Sequence, residues 1–246
     1  MVFAILIATA TSVSARAAGQ RATQDFIIAT DTVFAPFVFQ NPGGPSSGID
    51  MEILAAIAKD QGFTYTLQHL GFHAALAAVE AGQADGVMAG MSITEPRRLV
   101  FDFSDPYFDS GLVMAVRADN RTINSYADLR GQTVAVKTGT TGSRLAESLA
   151  PQYGFNLVYF DESSFMYEAV RAGHAVAVFE DYPVMAYGIT QGNGLRMATA
   201  MEAGASYGFA VRRGQNQELL RMFNQGLRNI KASGVYQQIL DKYLGK

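Results

Sequence analysis

Residues 90–97, Gly-Met-Ser-Ile-Thr-Glu-Pro-Arg, place a hydroxyl and a guanidinium close together in the chain. Ser92 offers an oxygen that both donates and accepts, and Arg97 offers a planar fork of N–H donors. The apolar run before them, residues 84–89, reads as a buried strand whose carboxyl end opens at Gly90. Glu95-Pro96 reads as the first turn of a short helix, with Thr94 as its N-cap and proline where a missing N–H costs least. In open α/β sheets, ligands sit beyond the carboxyl ends of strands. A Gly90 carbonyl, a Ser92 hydroxyl and the Arg97 fork gathered there suit a small zwitterion: oxygens for an ammonium, the fork for a carboxylate. The competing reading makes Arg97 a solvated helix residue, and this stretch alone weighs the two evenly.

Other residues extend the same chemistry. Residues 137–143, Lys-Thr-Gly-Thr-Thr-Gly-Ser, follow an apolar run and open a helical one. Free N–H groups at a helix start bind anions. The stretch lacks the Gly-Lys-Ser/Thr ending of a nucleotide loop, so a carboxylate loop or an ordinary tight connection fits better. Lys137 would be a point-charge donor there. Asp181 stands at a strand's carboxyl end, as an ammonium partner or as an N-cap before Pro183. Asp31 has the same ambiguity, with turn formation as its alternative. Phe34 and Phe72 follow strand ends; they flank a ligand's apolar stem or belong to the core, the commoner fate. His69, His73 and His174 form no metal set, because Gly71 breaks any helix between the first two, and no metal is expected. No nucleophile elbow stands out.

The elements that must position these residues follow from periodicity. The chain has 246 residues, 49% of them apolar, a net charge of −3 and no cysteine. That length allows two lobes with ample core. The charge carries no basic stripe, which argues against a nucleic-acid surface. Residues 1–22 read as a secretory leader with an apolar run too short to span a membrane, although no basic residue precedes that run. Strands are expected over 25–30, 63–68, 84–89, 112–117, 133–136, 156–160, 175–179 and 207–211. Helices are expected over 49–59, from Phe72 past Val79, over 123–129, from Arg144, and over 163–172, 216–233 and 235–244. Strand–helix–strand order implies parallel sheets with helical crossovers. Residues 78–87 echo residues 169–178: each reads helix, glycine, buried strand. The echo points to two related α/β halves with facing strand ends.

Six ordered pieces then carry a resemblance: residues 29–37 (ATDTVFAPF), 48–51 (GIDM), 89–97 (AGMSITEPR), 101–107 (FDFSDPY), 136–143 (VKTGTTGS) and 180–183 (EDYP). Together they resemble the periplasmic amino-acid-binding proteins of polar amino-acid ABC transporters, solute-binding protein family 3, and most of all the glutamine-binding branch. The resemblance covers roughly residues 25–245. It implies an α/β, two-lobe periplasmic-binding-protein type II fold, each lobe a mostly parallel sheet with flanking helices. Lobe one would comprise 24–106 and 208–246, lobe two 112–202, with hinges at 107–111 and 203–207.

The same resemblance implies an extracytoplasmic monomer that captures a polar L-amino acid, delivers it to a membrane permease, and uses no cofactor. Arg97 would grip the α-carboxylate, with N–H groups at Ser92 and Thr141. Asp181, the Gly90 carbonyl and the Ser92 hydroxyl would hold the α-ammonium. Asp31 and Lys137 would face the side chain, an acceptor and a donor that fit a carboxamide. Phe34 and Phe72 would flank the stem. Glu180 departs from the glutamine branch, which has histidine there; it would favour a basic ligand or pair with Lys137. A few proteins resembling this fold are cyclohexadienyl dehydratases, for which Glu180 would be the general acid.

Overall fold

The computed structural model describes residues 25–41 and 43–245; the leader expected over 1–22 lies outside the described residues. The first sheet is built from β1 (Asp25–Thr30), β2 (Thr64–His69), β3 (Gly86–Val87) and β4 (Phe101–Phe103), with α1 (Ile49–Gln61), α2 (Phe72–Glu80) and the short α3 (Glu95–Arg98) between them. The chain then passes to β5 (Gly111–Arg117), β6 (Thr133–Lys137), α4 (Thr141–Tyr153), β7 (Asn156–Phe160), α5 (Ser163–Arg171), β8 (Ala177–Asp181), α6 (Tyr182–Thr190), β9 (Leu195–Met197) and β10 (Glu202–Ala203). It returns with β11 (Ala210–Arg212) and closes with α7 (Gln217–Ala232) and α8 (Val235–Leu244).

The first sheet has the order β2-β1-β3-β11-β4, the second β10-β5-β8-β6-β7, with β9 beside β5. Each is mostly parallel with a single strand running against the rest, β11 in the first and β5 in the second. β1 pairs parallel with β2 and β3, and β6 with β7 and β8. The strands that enter or leave each half, β5 and β11, pair antiparallel with their neighbours. β11 is the returning chain meeting strands laid down by crossovers, and it runs against them. The strand expected at 84–89 is regular only over Gly86–Val87, and the late strand begins at Ala210 rather than Tyr207. Between Leu129 and the cap Ser125 the expected helix is a single 3-10 turn, Tyr126–Leu129.

Helix α1 buries Ile49, Ile53, Leu54 and Ile57, spaced for one helical face, and ends at Gly62 in the left-handed region, φ 73°. That face meets α7, where Leu219, Phe223 and Leu227 are buried. Phe223 stacks on Phe209 with ring centroids 4.5 Å apart. Each such side chain contributes about 1.5–3 kcal/mol by leaving water. The internal echo is structural as well. Gln83 N–H bonds to Ala78 O and His174 N–H to Ala169 O, each at 2.8 Å. The matching turns aim β3 and β8 so that both strand ends open toward the other sheet.

Two segments join the halves: one between β4 and β5, the other between β10 and β11. They bond to each other, Tyr107 N–H to Tyr207 O at 2.9 Å and Tyr207 N–H to Phe108 O at 2.7 Å.

Candidate functional site

Strand ends from both sheets face one another. β1 stops at Thr30 and leaves Asp31 behind it; β3 leads to Gly90 and Ser92; α3 supplies Arg97 and α2 begins with Phe72. Opposite them, β6 ends at Lys137, α4 starts at Thr141, and β8 ends in Glu180 and Asp181. Between them lies a small cavity of about 20 Å3. Asp31, Phe34, Phe72, Gly90, Ser92, Arg97, Lys137, Thr141, Glu180 and Asp181 all line it, joined by Thr140 and Gly142. A space of that size takes about one water, well below ligand sites of about 300–1,000 Å3, so the two walls lie close together.

Arg97 is 4% exposed, which rules out the solvated-helix reading. Thr94 caps α3 as expected, its Oγ1 accepting from Arg97 N–H at 3.4 Å. The Arg97 guanidinium donates to Ser92 O at 2.9 Å and to Gly139 O at 3.2 Å, so it reaches across to the second half. Its Cζ stands 5.1 Å from the Phe72 ring centroid. Burial, and then the nearby Arg144, lower its pKa to about 10, which leaves it cationic at neutral pH.

Lys137 Nζ meets Asp31 Oδ2 at 2.6 Å, and both side chains are almost wholly buried. The pair bridges the halves. Asp31 also accepts from Thr32 N–H at 2.8 Å, so its turn role and its site position coexist. Of the two alternatives for Glu180, the pairing with Lys137 does not occur, since Lys137 pairs with Asp31. Neighbours along a strand point to opposite faces. Asp181 reaches toward the joining segments, while Glu180 turns to α5 and accepts from Tyr167 OH at 2.6 Å, Ser163 Oγ at 3.4 Å and Asp181 N–H at 2.9 Å. Burial pushes Glu180 up from its ordinary value.

Asp181 occupies the N-cap position of α6, yet its side chain makes no cap bond. Its Oδ2 accepts from Tyr207 OH at 2.5 Å instead. Burial, reinforced by Glu180, raises its pKa to about 7, against the pull of Tyr207, Arg97 and Lys137.

Gly90 has φ 56°, and a Cβ there would stand 2.4 Å from the Phe34 ring. Its N–H donates to Asp50 Oδ2 at 2.7 Å. Asp50 is fully buried, accepts Tyr107 OH at 2.9 Å as well, and is pushed up to about 7 by burial. Asp50 and Tyr207 went unassigned in the sequence. Asp50 lies inside the 48–51 motif, which was its only signal; Tyr207 had only its place at the end of the expected hinge 203–207. Phe34 and Phe72 are 7% and 6% exposed and belong to packed apolar clusters while also lining the cavity. Core and cavity wall are here the same surface.

Thr140 caps α4, its Oγ1 accepting from Ser143 N–H at 3.0 Å. First-turn N–H groups have no partner within their own helix, so the start of α4 offers donors at the cavity edge. Among the described residues no group of His, Asp and Glu could hold a metal. The arrangement is a fork of donors, two carboxylates, a cross-linked ion pair and aromatic walls. It fits both poles of a zwitterion at once.

Comparison with known proteins agrees with this geometry. The arginine-binding extracellular protein ArtP of Bacillus subtilis is 27% identical, over 94% of this chain and 90% of its own. A solved ancestral arginine-binding protein bound to glutamine superposes with a TM-score of 0.84 at 33% identity, covering 92% of this chain and 100% of that one. The second substrate-binding domain of Lactococcus lactis GlnP, in an open conformation, gives a TM-score of 0.63 at 40% identity, covering 92% and 98%. Residues 26–246 match the family description itself, and the chain belongs to the bacterial extracellular solute-binding proteins, family 3.

Proposed function

We propose that the protein is the extracytoplasmic receptor of an ABC importer, capturing a polar L-amino acid between its two halves and handing it to a membrane permease. One observation carries this reading. The cavity holds Arg97 and Asp181 as opposite poles, from opposite sheets, with Lys137 and Asp31 already paired beyond them. Arg97 takes the α-carboxylate, with N–H groups of Ser92 and Thr141. Asp181, Gly90 O and Ser92 Oγ take the α-ammonium. Phe34 and Phe72 enclose the stem.

The charge balance supports glutamine. Lys137 and Asp31 neutralise each other, so the side-chain end presents one donor and one acceptor rather than a lone charge. A carboxamide meets both. An arginine guanidinium would have to sit against the Lys137 ammonium, with Glu180 drawn off toward Tyr167. The relatives named for arginine keep that ligand in view as the rival. Closure is supported by the two structural likenesses: the more identical protein, in an open conformation, superposes less well than the one bound to glutamine. That is the pattern of rigid halves meeting at different angles.

Dehydration of prephenate or arogenate is the weaker alternative. Both Glu180 oxygens accept hydrogen bonds, and a general acid must have a proton to give.

Titration calorimetry with glutamine, glutamate, arginine and histidine tests the reading. Glutamine is expected to bind with a micromolar Kd, about −8 kcal/mol, and Arg97→Ala to abolish binding while the protein stays folded by circular dichroism. Near wild-type affinity in Arg97→Ala would overturn the head-group assignment. Phenylpyruvate formation from prephenate would overturn the binding-only reading.

A further inference from the structure

Asp181 has two carboxylate oxygens, and the structure ties only one of them. Oδ2 accepts from Tyr207 OH at 2.5 Å, while Oδ1 accepts no hydrogen bond among the described residues and the side chain lines the cavity. Tyr207 belongs to neither wall of the cavity. It sits on the segment that returns between β10 and β11, fully buried. Its N–H bonds to Phe108 O on the other joining segment, and its phenol oxygen accepts from Ser110 Oγ at 3.1 Å on that same segment. Its ring packs on Phe37 and Phe108, centroids 5.1 and 6.0 Å away, which fixes where the hydroxyl points. A single phenol therefore connects both joining segments to the carboxylate of the second half.

We infer that Tyr207 is a positioning residue of the ammonium subsite: its phenol, steadied by Ser110, holds Asp181 so that the free oxygen faces the ligand's α-ammonium. The inference deepens the amino-acid-binding reading and rests on it. Asp181 alone could rotate to cap α6, the ordinary task of an aspartate before Pro183; the phenol bond draws it from that rotamer. The bond also favours the ionised carboxylate. Glu180 on the same strand disfavours that charge, and Arg97 on α3 and Lys137 on β6 favour it, with Arg144 of α4 on the adjoining groove. Removing the phenol leaves burial and Glu180 less opposed.

Tyr207→Phe keeps the ring and deletes the hydroxyl. Glutamine affinity at pH 7.5 is expected to fall about tenfold to a hundredfold, the usual scale for a hydrogen bond to a charged group. The pH below which affinity declines is expected to move upward, because Asp181 must be ionised to bind. A purely structural role would lower the melting temperature without moving that pH midpoint. Ser110→Ala removes the steadying bond, with a longer contact to Gly111 O at 3.5 Å, and should give a smaller loss with an upward shift in the same direction. It carries the test if Tyr207→Phe does not fold. Wild-type affinity and an unmoved midpoint in the folded variant would overturn the inference. Failure of the wild-type protein to bind any amino acid would overturn the underlying reading instead.

Discussion

On the proposed reading, the Asp31–Lys137 pair is where single residues set specificity. Both are buried and neither has water to fall back on, so removing one partner strands the other, at about 3–5 kcal/mol for a buried pair. Asp31→Asn keeps the shape and removes the charge. Lys137 then faces the cavity without a counter-ion, and a ligand carboxylate becomes its best partner. The ratio of glutamate to glutamine affinity is expected to rise at least tenfold, as measured by calorimetry with both ligands; an unchanged ratio would show that the pair does not face the side chain. All ten residues chosen from the sequence line one cavity, because residue type and position at a strand's end are local properties. What the sequence could not show is partnership. Glu180 goes to Tyr167 rather than Lys137, and Asp181 to Tyr207, through side-chain directions that only the folded sheet defines.

Helix α4 shows how an element is placed against its neighbour. Its first turn approaches the end of β8 so closely that a Cβ on Gly142 would lie 2.7 Å from Phe179 O. That carbonyl belongs to backbone in the sheet and cannot yield. Gly142→Ala is expected to push the start of α4 outward, taking the Thr141 N–H away from the ligand carboxylate proposed there. Overpacking of this kind costs about 1–3 kcal/mol. A matching drop in melting temperature and a tenfold weaker Kd are the expected readouts; wild-type binding would mean that α4 does not contact the ligand. At this scale most helices were legible from apolar spacing and glycine stops, although the one read over 123–129 is a single 3-10 turn. The strands β4, β9 and β10 were not, for each is only two or three residues long and owes its pairing to a partner far along the chain. The one reversed strand in each sheet, β11 and β5, went unread for the same reason.

The whole molecule consists of two sheets joined by two segments that bond to each other, with the cavity between them. On the proposed reading these segments flex while each half stays rigid, as in hinged closure generally. A ligand can drive such a change only through better contacts in the closed arrangement, and on that reading each half holds one pole of the zwitterion. Small-angle X-ray scattering is expected to show a smaller radius of gyration with saturating glutamine than without it. Identical profiles under conditions where calorimetry reports binding would sink the closing motion while sparing the site.

One consequence follows from the ion bridge between the sheets. When the halves part, an ammonium on one wall and a carboxylate on the other look at each other through electrolyte, where their pull fades beyond about 8 Å at physiological ionic strength. Once shut, the same two charges are hidden from counter-ions. Added salt should therefore slow the approach of the walls and leave their separation almost untouched, so that capture, more than release, would register the saltiness of the surroundings.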